Sequence, residues 1–320
     1  MRFRSLSLAV LLATLAGCSG TRYADAPPLA FEAIDYGFDV SYALDDPRLA
    51  YIDVGEGDET ILLVHGLASN AGFWRYTIQD LADAGYRVVA VDLPGFGKSA
   101  KGAYPYDMTF YAETLARFIQ ALDLDPLVYV GHSMGGQVGI TLALERPDLI
   151  DRLVLAAPAG VEAFDEGEGA WLANVLTEEG IANASEEAIR RNLALNVHHW
   201  NPKWEWLVEE RARMAKSDEM DAFAYAVLRS VHGMIDEPTS DRLGEIAVPT
   251  LVVYGQYDGL IPNPYLHPGT PRGVFGPGAE AIPYADLVEI PDAGHLLMIE
   301  RPEAFTGAVL DYLRQRGVAS

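Results

Sequence analysis

The chain has 320 residues, half of them hydrophobic, and a formal net charge of -23. That is enough apolar material for a full core, and enough length for one large domain with an insertion or for two domains. Such acidity argues against nucleic acid as a partner, because its phosphates would be repelled, and disfavours polyanionic substrates.

The first residues read as a targeting segment. Arg2 and Arg4 precede an apolar run from Leu6 to Leu15, and small residues Ala16 and Gly17 follow. This is a basic start, a short greasy middle and a cleavage site, with a run too short to span a bilayer as a helix. Residues 1–17 are therefore predicted to be a signal peptide. Cys18 is the one cysteine of the chain, so no intrachain disulfide can form. Leu15-Ala16-Gly17-Cys18 resembles the lipobox of bacterial lipoproteins. The resemblance implies cleavage before Cys18 and acylation there, and several acyl chains together anchor firmly. Ser19 after the cysteine implies, by the same family's sorting tendency, the outer membrane of a Gram-negative cell. Residues 18–35, polar and proline-containing at their start, are predicted to be a lipidated tether.

Tyr36–Tyr42 and Leu49–Val54 read as two short strands joined by the turn Asp45-Asp46-Pro47. Thr60 to His65 is a nearly continuous apolar run, as expected of a strand buried on both faces. It ends in His65-Gly66-Leu67. Trp74, Ile78 and Leu81 then fall at helical spacing, with Gly85 as the stop. Tyr86 to Val91 is the next buried strand and leads into Asp92-Leu93-Pro94-Gly95-Phe96-Gly97-Lys98-Ser99. The end of that loop suggests a phosphate-binding loop, but Asp92 stands where the motif needs its first glycine, so nucleotide binding is rejected.

Met108–Leu122 is an amphipathic helix carrying Tyr111, Leu115, Phe118 and Leu122 on one stripe. Leu127–Val130 is a further strand. It stops at Gly131, and a small-residue helix begins after Ser133, running to Arg146 ahead of Pro147. Gly131-His132-Ser133-Met134-Gly135 is thus Gly-x-Ser-x-Gly between a strand and a helix, the pattern of a nucleophile elbow. With Leu153–Ala156, strands and helices alternate from 60 to 157, which predicts a parallel, doubly wound sheet.

From Val161 to Gly244 no buried-strand run appears. Helix-start signals recur instead, at Ser185, Asn201-Pro202 and Ser217, and Phe164, Trp171, Trp200, Trp204, Trp206, Phe223 and Tyr225 make the stretch aromatic. Residues 161–245 are predicted to be an inserted helical cap, and 36–160 with 246–320 the α/β core. Alternation resumes with Pro249–Tyr254 and Leu287–Ile290. Between them, Pro262–Pro283 reads as an irregular excursion. A last helix from Pro302 turns Phe305, Val309 and Tyr312 inward.

A serine hydroxyl needs a base within reach, and that base needs an orienting acid. Asp258 follows the strand Leu251–Tyr254, and His295 follows the final strand. Ser133, Asp258 and His295 therefore all leave the carboxyl ends of parallel strands, in the order expected of an elbow-type triad. Asp286 and Asp292 are alternative acids; Asp286 precedes its strand, at the wrong end of the sheet. Ala157-Pro158, after the preceding strand, offers no acid. Two backbone donors, Leu67 N–H and Met134 N–H, are predicted to form the oxyanion hole, leaving both side chains free to line an acyl pocket. His65 is predicted to brace the oxyanion loop and His132 to pack beneath the elbow. The pair His198-His199 has no further ligand at helical spacing and is predicted to be packed or solvated, not metal-binding. His232 and His267 read as lone structural residues. No metal or other cofactor is implied.

Four blocks carry a family resemblance: Val64-His65-Gly66-Leu67, the loop Asp92–Ser99, the elbow Gly131–Gly136, and Gly294-His295 followed by Glu300-Arg301-Pro302-Glu303. From about Tyr36 to Arg316 the chain resembles the α/β-hydrolase superfamily. Gln137 after the elbow, and Ala157-Pro158-Ala159-Gly160, look like capped monoacylglycerol-type lipases and esterases. The resemblance implies hydrolysis of acyl esters, small-molecule substrates, through an acyl-enzyme on Ser133. Carbon–carbon bond hydrolysis, amide hydrolysis and acyl transfer use the same triad and stay open. So does a ligand-binding lipoprotein without activity. Dehalogenases and epoxide hydrolases of the superfamily have Asp where Ser133 stands and are disfavoured.

Overall fold

The computed structural model describes residues 21–316. The leader and Cys18 lie outside them. Eight strands form one sheet: β1 (Ser41–Ala43), β2 (Leu49–Val54), β3 (Thr60–Val64), β4 (Arg87–Val91), β5 (Leu127–His132), β6 (Arg152–Ala156), β7 (Thr250–Gly255) and β8 (Ala285–Ile290). Their order is β1-β2-β4-β3-β5-β6-β7-β8. β2 pairs antiparallel with β1 and β4, and every other pair is parallel. The helices packed about the sheet are α1 (Ile78–Asp83), α2 (Met108–Ala121), α3 (Met134–Glu145) and, after an inserted group, α9 (Pro271–Ala281), α10 (Leu297–Glu300) and α11 (Pro302–Arg316). The insert between β6 and β7 holds α4 (Glu166–Val175), α5 (Glu178–Ala182), α6 (Glu186–Leu195), α7 (Glu205–Met214) and α8 (Met220–Asp236). This is the mostly parallel, helix-flanked sheet that the alternation predicts, in the architecture that the family resemblance implies.

Burial follows the sequence pattern. All residues of β3, β5 and β7 are buried, as central parallel strands covered on both faces require. α2 starts at Asp107, whose side chain accepts the Phe110 N–H, and buries Met108, Tyr111, Leu115 and Phe118. α11 buries Phe305, Val309 and Tyr312. In the insert, Asp165 and Glu168 form a reciprocal capping box on α4, and Ser185 caps α6 by accepting the Ala188 N–H.

Four sequence expectations change. Of the predicted strand 36–42 only Ser41 and Tyr42 are in the sheet, since Tyr36 instead turns its hydroxyl to the buried Asp92 carboxylate at 2.7 Å. The helix predicted from Trp74 divides into a 3-10 turn, Ala71–Trp74, capped by Asn70, and α1 from Ile78. The stretch 262–283 is not irregular throughout: Thr270 caps α9, Pro271 sits in its first turn where no N–H is needed, and Phe275 is buried.

The fourth change concerns the predicted tether. Its carboxyl-terminal part is a strap laid against the insert. The backbone N–H groups of Arg22 and Tyr23 donate to Glu186 of α6, and Tyr23 Oη donates to Glu205 of α7 at 3.0 Å. Lys216 Nζ donates to the carbonyls of Tyr23, Ala24 and Ala26. Leu29 N–H donates to Arg213 O, and Phe31, fully buried, packs on Phe223 of α8.

Close approach at the elbow requires small residues. A Cβ on Gly131 would lie 2.2 Å from Gly135 O, and one on Gly135 would lie 2.6 Å from Val64 O. Both obstacles are backbone and cannot swing aside. Gly131→Ala is therefore expected to destabilise the fold by about 1–3 kcal/mol, measured as a lower urea midpoint at unchanged slope.

Candidate functional site

The end of β5 and the start of α3 fix Ser133. Its φ of 52° is in the left-handed region, which a non-glycine residue adopts only when the surroundings impose it. Those surroundings are hydrogen bonds: Ser133 N–H donates to Ala156 O at the end of β6, and Ser133 O accepts from Gly136, Gln137 and Ala159. The hydroxyl is thereby lifted out of the strand and faces a cavity of about 1030 Å³.

His295 lies in the loop between β8 and α10 and is 3% exposed. Its Nδ1 is 2.8 Å from Asp258 Oδ2. An ionised carboxylate can only accept, so Nδ1 carries the proton and Nε2 is left with a lone pair. The second oxygen of Asp258 accepts the N–H groups of Leu260 and Ile261 at 2.8 and 3.0 Å, which sets the orientation of the acid. Ser133 and His295 line the same cavity, and no hydrogen bond joins them in this structure. Contacts of this kind are commonly long before substrate arrives. The alternative acids stand apart: Asp286 is at the start of β8, paired in register with Leu251 at the amino end of β7, and Asp292 is exposed.

Leu67 and Met134 flank Ser133. Met134 is the first residue of α3, so its N–H has no partner one turn earlier. Neither it nor the Leu67 N–H donates to any protein acceptor among the described residues. The Leu67 side chain lines the cavity as predicted, whereas Met134 is fully buried and does not.

The histidines sort by their partners. His65 Nδ1 donates to Gly66 O at 2.7 Å and its Nε2 accepts the Leu93 N–H at 3.0 Å, tying the loop after β3 to the loop after β4. Burial lowers its pKa, so the ring that accepts Leu93 is neutral. His132 Nε2 donates to His295 O at 3.0 Å, and burial, then the neighbouring His295, hold its pKa well below the usual value. His198 stacks between His199 and Tyr257. His232 bonds Ala173 O. His267 is not lone: Nδ1 is 2.6 Å from Glu162 and Nε2 3.1 Å from Glu168, with Phe164 stacked on the ring. Two acceptor-only partners require both nitrogens to donate, and Glu162 first among the causes raises the His267 pKa. Among the described residues, no cluster of three or more His, Cys, Asp or Glu is placed to hold a metal ion.

The cavity lies between core and insert. Leu172, Val175, Leu176, Ile189, Leu193, Val227 and Val231 line its upper wall. Of the aromatic residues noted in the insert, only Phe164 reaches it; Phe223 and Trp204 are buried elsewhere. Apart from Phe164, aliphatic side chains therefore form the insert's apolar share of the lining. Gln137 Nε2 donates to Met234 O and Glu237 O, fastening α3 to α8. Arg211 of α7 also lines the cavity. It donates to Ala68 O and lies over the Phe223 ring, and no carboxylate is within ion-pair distance among the described residues. Burial lowers its pKa while Glu210 opposes the shift. Sequence reading missed it because a guanidinium two turns into a charged helix looks like surface.

Residues 59–302 match the alpha/beta hydrolase fold family. A 2-hydroxy-6-oxo-6-(2'-aminophenyl)hexa-2,4-dienoic acid hydrolase of Metapseudomonas resinovorans is 30% identical over 277 residues, covering 83% of this chain and 87% of that one. Among solved structures, a probable hydrolytic enzyme from Pseudomonas aeruginosa PAO1 superposes with a TM-score of 0.80 at 30% identity, covering 90% of this chain and 99% of that one. A thermophilic esterase from Thermogutta terrifontis gives 0.70 at 27% identity, with 87% and 98% covered.

The His267 bridge has a measurable consequence. A histidine whose pKa is raised in the fold stabilises fully below its ordinary value of 6.5 and loses that contribution as pH rises through the raised value. His267→Gln is expected to lower the melting temperature at pH 6, with the difference from wild type shrinking by pH 9.

Proposed function

As the chain belongs to the alpha/beta hydrolase family, we propose that it is a serine hydrolase of carboxylic esters, of the capped monoacylglycerol lipase and esterase type. Ser133 attacks the ester carbonyl while its proton passes to His295 Nε2. Asp258 stabilises the imidazolium and keeps the ring in place. The N–H groups of Leu67 and Met134 receive the oxyanion. The ring then returns the proton to the leaving alkoxide, and water, activated by the same ring, releases the acid. The observation that carries this reading is the buried 2.8 Å bond from His295 to Asp258 beside a strained serine at an aliphatic cavity. The lining suits an apolar acyl chain.

A second reading is favoured by Arg211. A cation facing the cavity without a carboxylate of its own suits a substrate that carries one. The relative named for a dienoic acid acts on such a molecule, and carbon–carbon bond hydrolysis of a keto acid would use the same serine and base.

The proposal extends to location. A leader ending at Gly17, with Leu15-Ala16-Gly17-Cys18 spanning the cleavage point, supports a lipid anchor at Cys18 and a place in the cell envelope, at the outer membrane of a Gram-negative cell. Mass spectrometry of the mature amino terminus is expected to find an acylated Cys18; a free thiol there would remove the anchor.

p-Nitrophenyl butyrate is expected to be hydrolysed, and Ser133→Ala to lose at least about a thousandfold in rate with its circular dichroism unchanged. Equal rates in the two proteins would end the esterase reading. Arg211→Leu separates the two substrate classes. KM for a keto acid is expected to rise about tenfold or more, with hydrolysis of the neutral ester nearly unchanged.

A further inference from the structure

Glu300 closes α10, the single helical turn that follows His295, and its side chain folds back over that turn. Oε1 accepts the N–H of Gly294, the residue before His295, at 2.6 Å. Oε2 accepts the N–H of His198, just beyond α6 in the insert, at 2.8 Å. On the other side of His295, Leu296 N–H donates to Asn196 O at 2.9 Å. The stretch 196–198 thus brackets His295 from both sides, directly at Leu296 and through one carboxylate at Gly294. The fit is tight. A Cβ on Gly294 would lie 2.7 Å from His198 N and 2.9 Å from Glu300 Oε1. The loop of the acid meets the same stretch, since a Cβ on Gly259 would lie 2.7 Å from Leu195 O. Glu300 is only 4% exposed, so water does not replace these bonds.

We propose that Glu300 is a positioning residue for His295, and that its ionised carboxylate holds the histidine loop to the segment 196–198 in the geometry the base needs. This rests on the reading of Ser133 and His295 as nucleophile and base. The ionised form is the stronger acceptor for both N–H groups, and a proton on either oxygen weakens the bond that oxygen accepts. Burial pushes the Glu300 pKa up to about 7, against the pull of its two N–H donors. The charged and titratable groups around it are Asp258 from the loop after β7, His198 and His199 from the insert, His295 itself, and Arg301, which approaches Asp292 at 3.9 Å. Asp258 raises the Glu300 pKa and Arg301 lowers it.

Ser133 then reacts at its full rate only when Glu300 and the base are both unprotonated. The readout is the rate at which a fluorophosphonate labels Ser133 between about pH 5 and 8. That reaction needs an activated serine but no particular natural substrate. In the wild type the rate is expected to fall, on the acid side, more steeply than tenfold per pH unit over the range where Glu300 takes up its proton. In Glu300→Gln, which keeps a side-chain oxygen acceptor but cannot ionise, the fall is expected to be tenfold per unit, from a lower plateau. A one-proton slope in the wild type would overturn the role of Glu300, whether or not the variant folds. So would a Glu300→Gln profile with the wild-type slope, because a merely structural carboxylate would lower the plateau and leave the slope alone. A wild type that is not labelled at any pH would remove the nucleophile and base themselves, and this role with them.

Discussion

The site depends on one buried hydrogen bond, from His295 Nδ1 to Asp258 Oδ2. It joins two loops that follow neighbouring strands, β7 and β8, and it decides which ring nitrogen is free. Everything around it restricts the ways in which either partner could turn. Leu260 and Ile261 hold the far oxygen of the acid, His132 holds the carbonyl of His295, and Glu300 and Asn196 hold the residues on either side of it. A ring so constrained loses little entropy on reaction, which is how preorganised sites lower barriers.

The serine is prepared in a different way. Its backbone is held at a φ that costs energy, and the surrounding strands supply that energy through fixed hydrogen bonds at Ala156 and Ala159. The glycines at 131 and 135 do not make the turn possible by flexibility. They make it possible by absence of bulk where helix and strand backbones meet. Ser133 and His295 are thus placed by two devices, a strained turn and a clamped loop, joined by the bond from His132 to the His295 carbonyl.

What the sequence discloses is set by range. Gly131 to Gly135 and His65-Gly66-Leu67 are short contiguous patterns, so spacing alone identifies them. Asp258 and His295 were legible because each follows a strand whose apolar run is plain. Arg211 and the Glu162–His267–Glu168 bridge were not. Each depends on contacts between segments about a hundred residues apart or more, and each looks in sequence like ordinary surface charge. The helix α9 was hidden for another reason: prolines and glycines at 262–283 mask a segment whose Thr270 cap and buried Phe275 carry it into helix. The cavity lining shows the same limit, since aromatic content says nothing about which way a ring points.

The strap at 22–31 belongs to the core's chain but is fastened to the insert, through Glu186, Glu205, Arg213, Lys216 and Glu219. Tension on the amino end is therefore borne first by α6, α7 and α8, the roof above the cavity, and only afterwards by the sheet. The strap and the roof are thus coupled by hydrogen bonds that bypass the sheet.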